Sequence, residues 1–344
     1  IALADIPNLT FTPVANGNGN AYDAFTFQVR DDGGTADGGV DTDPVANTMT
    51  IGVTSVNDAP DGADITLTTL EDTPYTFAAA DFGFTDAADS PANALLNVII
   101  DTLPASGTLE LSGVAVTAGQ VIALADIPNL IFTPAANENG ASYANFDFRV
   151  QDDGGTADGG VDTDVAANTV TFDVVAVNDA PDGADITLTT REDEPLTFTA
   201  ADFGFSDAND NPDPHNLQSV IITTVPAIGT FELAAGASAP GIVTAGQVIS
   251  AADIPFLTFT PVANENGASY ASFNFQVRDD GGTANGGIDL DPTQNTVTFD
   301  VTSVNDAPSG ADNTVTTLED TPYTFAAGDF GFTDADDSPA NNFT

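Results

Sequence analysis

The chain has 344 residues, enough for two or three domains. Its 52 acidic residues stand against four arginines and no lysine, a formal charge of −48. That balance excludes nucleic acid as a partner, because phosphate binding needs clustered Lys and Arg. An anionic membrane surface would repel the chain, and no apolar run is long enough for a transmembrane helix, so this segment is not expected to insert into a membrane. The 42% hydrophobic fraction supports real cores rather than an acidic disordered tail. Cysteine is absent, so a secreted chain of this kind needs another staple, and metal is the natural candidate. With no Cys or Lys and a single histidine, thiol chemistry, Schiff-base chemistry and a His-rich zinc site are excluded. No signal peptide is visible, and the chain opens and closes in mid-repeat, which is the expectation for a window on something longer.

Repetition organises everything else. The stretch Val56-Asn57-Asp58-Ala59-Pro60 returns as Val177-Asn178-Asp179-Ala180-Pro181 and as Val304-Asn305-Asp306-Ala307-Pro308, so the joint asparagines lie 121 and then 127 residues apart. Asp5-Ile6-Pro7, Asp126-Ile127-Pro128 and Asp253-Ile254-Pro255 keep the same spacing. The extra residues of the later repeat fall mostly around 234–241, a small-residue loop. A period near 120 fits a whole domain rather than a solenoid turn. The expected organisation is 1–56 as the back end of one repeat, 57–177 and 178–304 as complete repeats, and 305–344 as the front end of another. A proline that ends a strand, preceded by an amide and a carboxylate, suits a joint between domains.

Segment 1–56 carries Tyr22 ahead of an alternating Phe run and then Asp31-Asp32-Gly33-Gly34. Repeat 57–177 reads as strands throughout. Residues 65–69 alternate Ile/Leu with Thr, and Glu71-Asp72-Thr73-Pro74 makes a turn before residues 75–77 begin the next strand. Residues 86–91 form a loop rich in Asp and chain breakers. Residues 97–100 and 108–111 are strands around a Pro/Gly turn, residues 126–128 a short turn, and residues 130–133 a strand ending at Pro134. Residues 146–150 give the clearest alternation, and 169–174 close the repeat into the joint. About seven short strands and no amphipathic helix of useful length indicate an all-β fold of immunoglobulin-like Greek-key sandwiches. Tyr22, Tyr143 and Tyr270 each precede the Phe strand, as a tyrosine corner would, although an ordinary half-buried Tyr reads the same way.

Carboxylates recur with the repeat in four places. They are the joint (Asn57-Asp58, Asn178-Asp179, Asn305-Asp306), the turn (Glu71-Asp72, Glu192-Asp193, Glu319-Asp320), the loop (Asp86 and Asp89, Asp207 and Asp210, Asp334 and Asp336), and the pair after the Phe strand (Asp31-Asp32, Asp152-Asp153, Asp279-Asp280). Calcium takes six to eight hard oxygens from carboxylates, carbonyls and amides, and clustered Asp and Asn supply them. No loop is an EF-hand: Asp207-Ala208-Asn209-Asp210-Asn211 starts like one, but Pro212 stands where the turn glycine belongs. The plain alternative is that these are solvated turn residues, since Asp, Asn and Gly make turns anyway. Recurrence in register without compensating cations favours metal. Sandwich topology brings the first turn and the loop Asn137-Glu138-Asn139 toward the end the chain leaves by, and the Asp loops toward the end it enters by. The expected ligands around Asn178-Asp179 are therefore Glu71, Asp207, Asp210 and Asp280, and those around Asn57-Asp58 are Asp86, Asp89 and Asp153, with Glu192, Asn305, Asp306, Asp334 and Asp336 at the third joint. His215, in the loop 211–215 and without a counterpart in the other repeat, is expected to be solvated rather than catalytic.

The chain resembles the cadherin-like tandem repeats of large bacterial surface proteins and adhesins. The resemblance rests on Glu-Asp-Thr-Pro at 71–74, the Asp loop at 86–89, Leu257-Thr258-Phe259-Thr260-Pro261 with Asn264-Glu265-Asn266-Gly267, residues 273–282, and the joint. It implies joints that bind Ca2+, with Asn-Asp-Ala-Pro matching part of the animal cadherin joint motif, Asp334 and Asp336 matching its Asp-x-Asp, and Asp32, Asp153 and Asp280 matching its Asp before Gly. The Asp-Arg-Glu of that pattern is absent; Asn-Glu-Asn-Gly stands roughly in its place. The expected function is a calcium-stiffened, extracellular, rod-like array without enzymatic activity, forming an adhesin stalk or the body of a surface fibre. Its partners would be neighbouring repeats and, in a fibre, other copies of the chain. The competing expectation is a carbohydrate-binding or glycosidase module array, which would need an exposed aromatic platform. There is no Trp, and Phe falls mostly at inward positions.

Overall fold

The computed structural model describes every residue except Asn211 and Ser338, so the last residue of the EF-hand-like stretch lies outside the described residues. The chain divides into two compact units, Ile1–Val175 and Ala176–Thr344.

The first unit opens with an antiparallel pair, β1 (Gly19–Phe27) and β2 (Asn47–Val53). A sandwich follows, built from β3 (Ile65–Leu70), β4 (Tyr75–Thr76), β5 (Leu95–Ile100), β6 (Thr108–Leu111), β7 (Val114–Ala115), β8 (Gln120–Ala123), β9 (Leu130–Thr133), β10 (Gly140–Asp152) and β11 (Asn168–Val175). One sheet has the order β3-β11-β10-β5-β8 and the other β4-β9-β6-β7. All pairings are antiparallel except that of β3 with β11, the first and last strands, which run parallel from Ile65↔Val170 to Leu70↔Val175. The strands read from the sequence are present. The short β7 and β8 were not foreseen, because Val114-Ala115 and Gln120-Val121 carry too little alternation to stand out from their Gly-containing turns. Residues 124–129 wind as a 3₁₀ turn that buries Ile127 completely.

The second unit repeats the plan with β12 (Ile186–Arg191), β13 (Leu196–Thr197), β14 (Leu217–Ile222), β15 (Thr230–Leu233), β16 (Gly241–Ile242), β17 (Gln247–Ser250), β18 (Leu257–Thr260), β19 (Gly267–Asp279) and β20 (Asn295–Thr302). Its sheets are β12-β20-β19-β14-β17 and β13-β18-β15-β16, with β12 parallel to β20. The longer repeat spends most of its additional residues between β15 and β16, as the small-residue loop suggested.

Alternation decides which face is buried. In β10, Phe146, Phe148 and Val150 point inward, and in β19 Phe273, Phe275 and Val277 do the same. Each core is a block of rings: Phe132 stacks on Phe172 at 3.9 Å in one sandwich and Phe259 on Phe299 at 3.8 Å in the other. Every one of the largest fully buried side chains is phenylalanine. The tyrosine reading resolves in favour of the corner. The hydroxyls of Tyr22, Tyr143 and Tyr270 accept the N–H of Val14 at 3.2 Å, Ala135 at 3.1 Å and Val262 at 3.2 Å, each eight residues upstream. Tyr143 and Tyr270 also donate to Glu138 and Glu265 at 2.6 and 2.8 Å. That bond ties the loop before the long strand to the strand itself.

Deleting the Phe259 ring removes the stacking partner of Phe299 and leaves a cavity that flanking strands cannot close. Phe259→Ala should destabilise the second sandwich by about 3–5 kcal/mol, read as a lowered urea midpoint. A midpoint within error of wild type would show that this ring pair does not support the core.

Candidate metal centre

In the first unit the joint folds back onto the sandwich that follows it. Asn57 donates its amide N–H to Asp152 at 3.0 Å and to the Val161 carbonyl at 2.7 Å, and its amide oxygen accepts the side-chain N–H of Asn93. The Asp58 N–H donates to Asp89 at 2.9 Å. Asp86 accepts the backbone N–H of Asn93 on one oxygen, while its other oxygen, Oδ1, is buried and has no partner. Burial raises the pKa of Asp89, and the neighbouring Asp86 and Asp58 charges add to that. Asp152, wholly buried, is also raised by burial, although it accepts from Gly154 N–H at 2.8 Å.

The second unit builds the same arrangement around Asn178. Its amide donates to Asp279 at 3.2 Å and to the Ile288 carbonyl at 2.6 Å, and the Asp179 N–H donates to both oxygens of Asp210 at 3.2 Å. Asp207 accepts the His215 backbone N–H on Oδ2, and Oδ1 is again buried and unpartnered. Burial pushes the Asp210 carboxyl up to about 6, with the Asp207 carboxylate as a further cause. A Cβ added at Gly281 would overlap the Asn178 amide oxygen, and one added at Gly154 would overlap that of Asn57. Glycine at these positions leaves a cradle that any other side chain would fill.

The third copy, also in the second unit, brings together side chains on both sides of a joint. Glu192, 1% exposed, accepts the Val304 N–H at 2.5 Å and the Asn266 amide at 2.9 Å, and the Asn266 bond is the chief reason its pKa falls. Asn264 donates to Asp336 at 2.9 Å, and the Asp306 N–H donates to Asp337 at 3.1 Å. Asp306 is raised by desolvation and then by the charges of Asp193, Asp337, Glu192 and Asp336. Asp334 Oδ1 and Asp306 Oδ2 are buried without partners, and Asn341 bonds Asn305 at 2.8 Å and Asp337 at 3.0 Å. At the corresponding end of the first unit, Glu71 is 3% exposed and accepts from Asn139 at 3.0 Å, and Asp72 accepts the Asn137 N–H at 3.1 Å.

Counting donors separates two kinds of buried carboxylate. Asp291 is saturated: it accepts from Gly183 N–H at 2.9 Å, Thr293 N–H and hydroxyl at 2.7 Å, and the Asn295 amide at 2.7 Å. Asp164 is held likewise by Gly62, Ala166 and Asn168. Those acids pin loops. Asp86, Asp207 and Asp334 instead keep one buried oxygen without a donor, in the same place in every copy. Such an atom is costly unless something positive meets it. The four arginines do not, because they pair with Asp41, Asp101, Glu194 and Asp289. Hard oxygens around a glycine-lined space fit a divalent cation such as calcium.

Among the residues expected as ligands, Asn57, Asp58, Asp86 and Asp89 gather at one joint, Asn178, Asp179, Asp207 and Asp210 at the next, and Glu192, Asn305, Asp306, Asp334 and Asp336 at the third. Asp153 and Asp280 sit one residue outside, exposed, accepting the backbone N–H of Ala94 at 2.8 Å and Asn216 at 2.7 Å. That bond lowers the pKa of Asp280. The residues beneath the joint amides are Asp152 and Asp279, which the sequence places among the recurring acids but which were not among the expected ligands. The signal was present: they are the next inward positions after Phe146, Phe148 and Val150, and after Phe273, Phe275 and Val277.

No family model matches the chain, and no curated protein matches it. Solved structures do. Mouse protocadherin-24 repeats EC1-3 align over 80% of this chain and 79% of that one, at 13% identity and a TM-score of 0.44. Mouse cadherin-23 EC22-24 aligns over 75% and 71%, at 16% identity and a TM-score of 0.40. Human mucin-like protocadherin EC1-2 aligns over 71% and 98%, at 15% identity and a TM-score of 0.35. In both sandwiches of this chain the parallel first and last strands, the tyrosine corner and the Asn-Asp joint recur together.

Donor counting gives a paired expectation in chelator. Asp291→Asn should destabilise by about 1–3 kcal/mol, because a saturated acceptor loses donors. Asp207→Asn should leave stability unchanged or raise it, because it removes a charge facing Asp210. Chemical denaturation of both variants checks this; equal losses would mean that the two carboxylates are alike. A second expectation concerns pH. The Asp210 pKa is raised above its unfolded value, so its stabilising contribution is complete below the ordinary carboxylate range and is lost as pH rises through about 6. In chelator, the melting temperature of the second unit should fall over that window, and less so in Asp210→Asn. Superimposable profiles for the two proteins would remove Asp210 from the account.

Proposed function

We propose that the chain is a calcium-stiffened, extracellular array of cadherin-like repeats, with 57–177 and 178–304 as complete repeats, serving as the stalk of a bacterial adhesin or the body of a surface fibre. The observation that carries the reading is the buried, unpartnered Oδ1 shared by Asp86, Asp207 and Asp334, each beside a joint and without an arginine to meet it. Calcium would supply the missing positive charge and bind Asp and Glu oxygens that otherwise repel. The ligands proposed are Asn57, Asp58, Asp86, Asp89 and Asp152 at the first joint. At the second they are Asn178, Asp179, Asp207, Asp210 and Asp279, and at the third Glu192, Asp306, Asp334, Asp336 and Asp337. A site assembled from two repeats binds fully only when both present their ligands, so calcium favours the arrangement that joins them. Function would then be mechanical rather than catalytic. The phenylalanines of the complete repeats, Phe256 apart, are committed to the cores, which speaks for an array and against a sugar platform.

Calorimetry should give affinities on the order of 10⁻⁴ to 10⁻³ M, as in extracellular modules. Asp207→Ala with Asp210→Ala should leave both units folded but shorten the maximum dimension seen by small-angle scattering in calcium, toward that of the wild type in chelator. If the wild type is equally extended with and without calcium, the joints are not calcium clamps.

A further inference from the structure

The three joints differ in the residue whose backbone N–H meets the loop aspartate. Asn93, His215 and Asn341 each donate a backbone N–H to the paired oxygen of Asp86, Asp207 and Asp334, so they are equivalent in place, and only the middle one is an imidazole. It is also the only histidine in the chain.

Its Nδ1 lies 3.5 Å from Asp210 Oδ2 and 3.6 Å from Asp207 Oδ2. Ligand atoms of Asp207, Asp210 and His215 all fall within 4.8 Å of one another. Three further facts point into the same space. Asp207 and Asn178, 8% and 9% exposed, each keep a buried oxygen without a hydrogen-bond partner. His215 Nδ1 is likewise buried and without a partner. A Cβ at Gly281 would meet both the Asn178 amide oxygen and, at 2.6 Å, His215 Nδ1, so these two atoms face one cradle.

We infer that the joint at Asn178, open to calcium like the others, takes a transition-metal dication of the zinc class in preference to it, with His215 Nδ1, Asp207, Asp210 and Asn178 Oδ1 as ligands, whereas the Asn93 and Asn341 copies are all-oxygen sites. Imidazole is a good ligand for zinc and its neighbours and a poor one for calcium, which selects hard oxygens. Two carboxylates, one imidazole and one amide oxygen make a four-ligand set of the size zinc prefers. Binding uses the neutral imidazole, so any proton on Nδ1 leaves to solvent as the metal enters. The inference rests on reading the joints as cation sites.

One histidine means one pair of imidazole nitrogen resonances in the full chain labelled with ¹⁵N-histidine. Zinc added in millimolar calcium should shift Nδ1 and saturate at one equivalent. His215→Asn, which restores the residue of the other copies, should weaken zinc binding in the same buffer at least about tenfold while leaving calcium binding in place. The inference is overturned if zinc affinity is the same in both proteins, if zinc shifts Nε2 rather than Nδ1, or if both ring nitrogens remain protonated with zinc present; in the last case the imidazolium is itself the counter-charge. Calcium binding without a His215-dependent zinc site removes this inference alone. If neither metal binds either protein, both this inference and the calcium reading fail.

Discussion

A carboxylate buried with one oxygen bonded and the other without a hydrogen-bond donor is the constraint on which the joints depend. Asp86, Asp207 and Asp334 are held by a loop N–H that fixes the rotamer and aims Oδ1 into the cradle. Rotating away would break that bond, and protonation would only partly relieve the repulsion from the neighbouring acid. The desolvation that raises Asp89, Asp210 and Asp306 has the same origin. The loops are therefore prearranged, and none of the chain's arginines meets the oxygen left over in each.

Prearrangement depends on the cores. The Phe blocks fix β10 and β19, and strand alternation then carries the last inward residue, Asp152 or Asp279, beneath the joint amide. Asn57 and Asn178 bridge from that buried acid to the Val161 and Ile288 carbonyls, so each joint is bonded to the sandwich it introduces. The saturated acids Asp164 and Asp291 secure the approach to the last strand from the other side. Rigid packing and polar bonding thus act on the same few residues, which is how a site gains precision without disulfides.

The sequence made the fold readable because its signals were local. Period-two alternation in β10 and β19, breakers in the Asp loops and the repeating Asn-Asp-Ala-Pro leave little room for another architecture. What escaped depended on three dimensions. β7 and β8 exist because β6 and β5 offer them partners, not because their own residues demand a strand. Asp152 and Asp153 are adjacent and chemically identical, so only the inward phase of the strand separates them, and the glycines that follow conceal where that phase ends. His215 looked like a solvated loop residue because the residues around it, Asp207, Asp210 and Asn178, lie up to dozens of positions away in the chain.

The parallel pairing of β3 with β11, and of β12 with β20, has a consequence for load. In each sandwich the strand that receives the chain lies beside the strand that releases it, pointing the same way, with six residue pairs in register. Tension drawn through the two ends meets those hydrogen bonds side-on. They are loaded in shear and must yield together, whereas a hairpin pulled from its open end unzips one rung at a time. The strand order makes each sandwich resist stretching as a single unit.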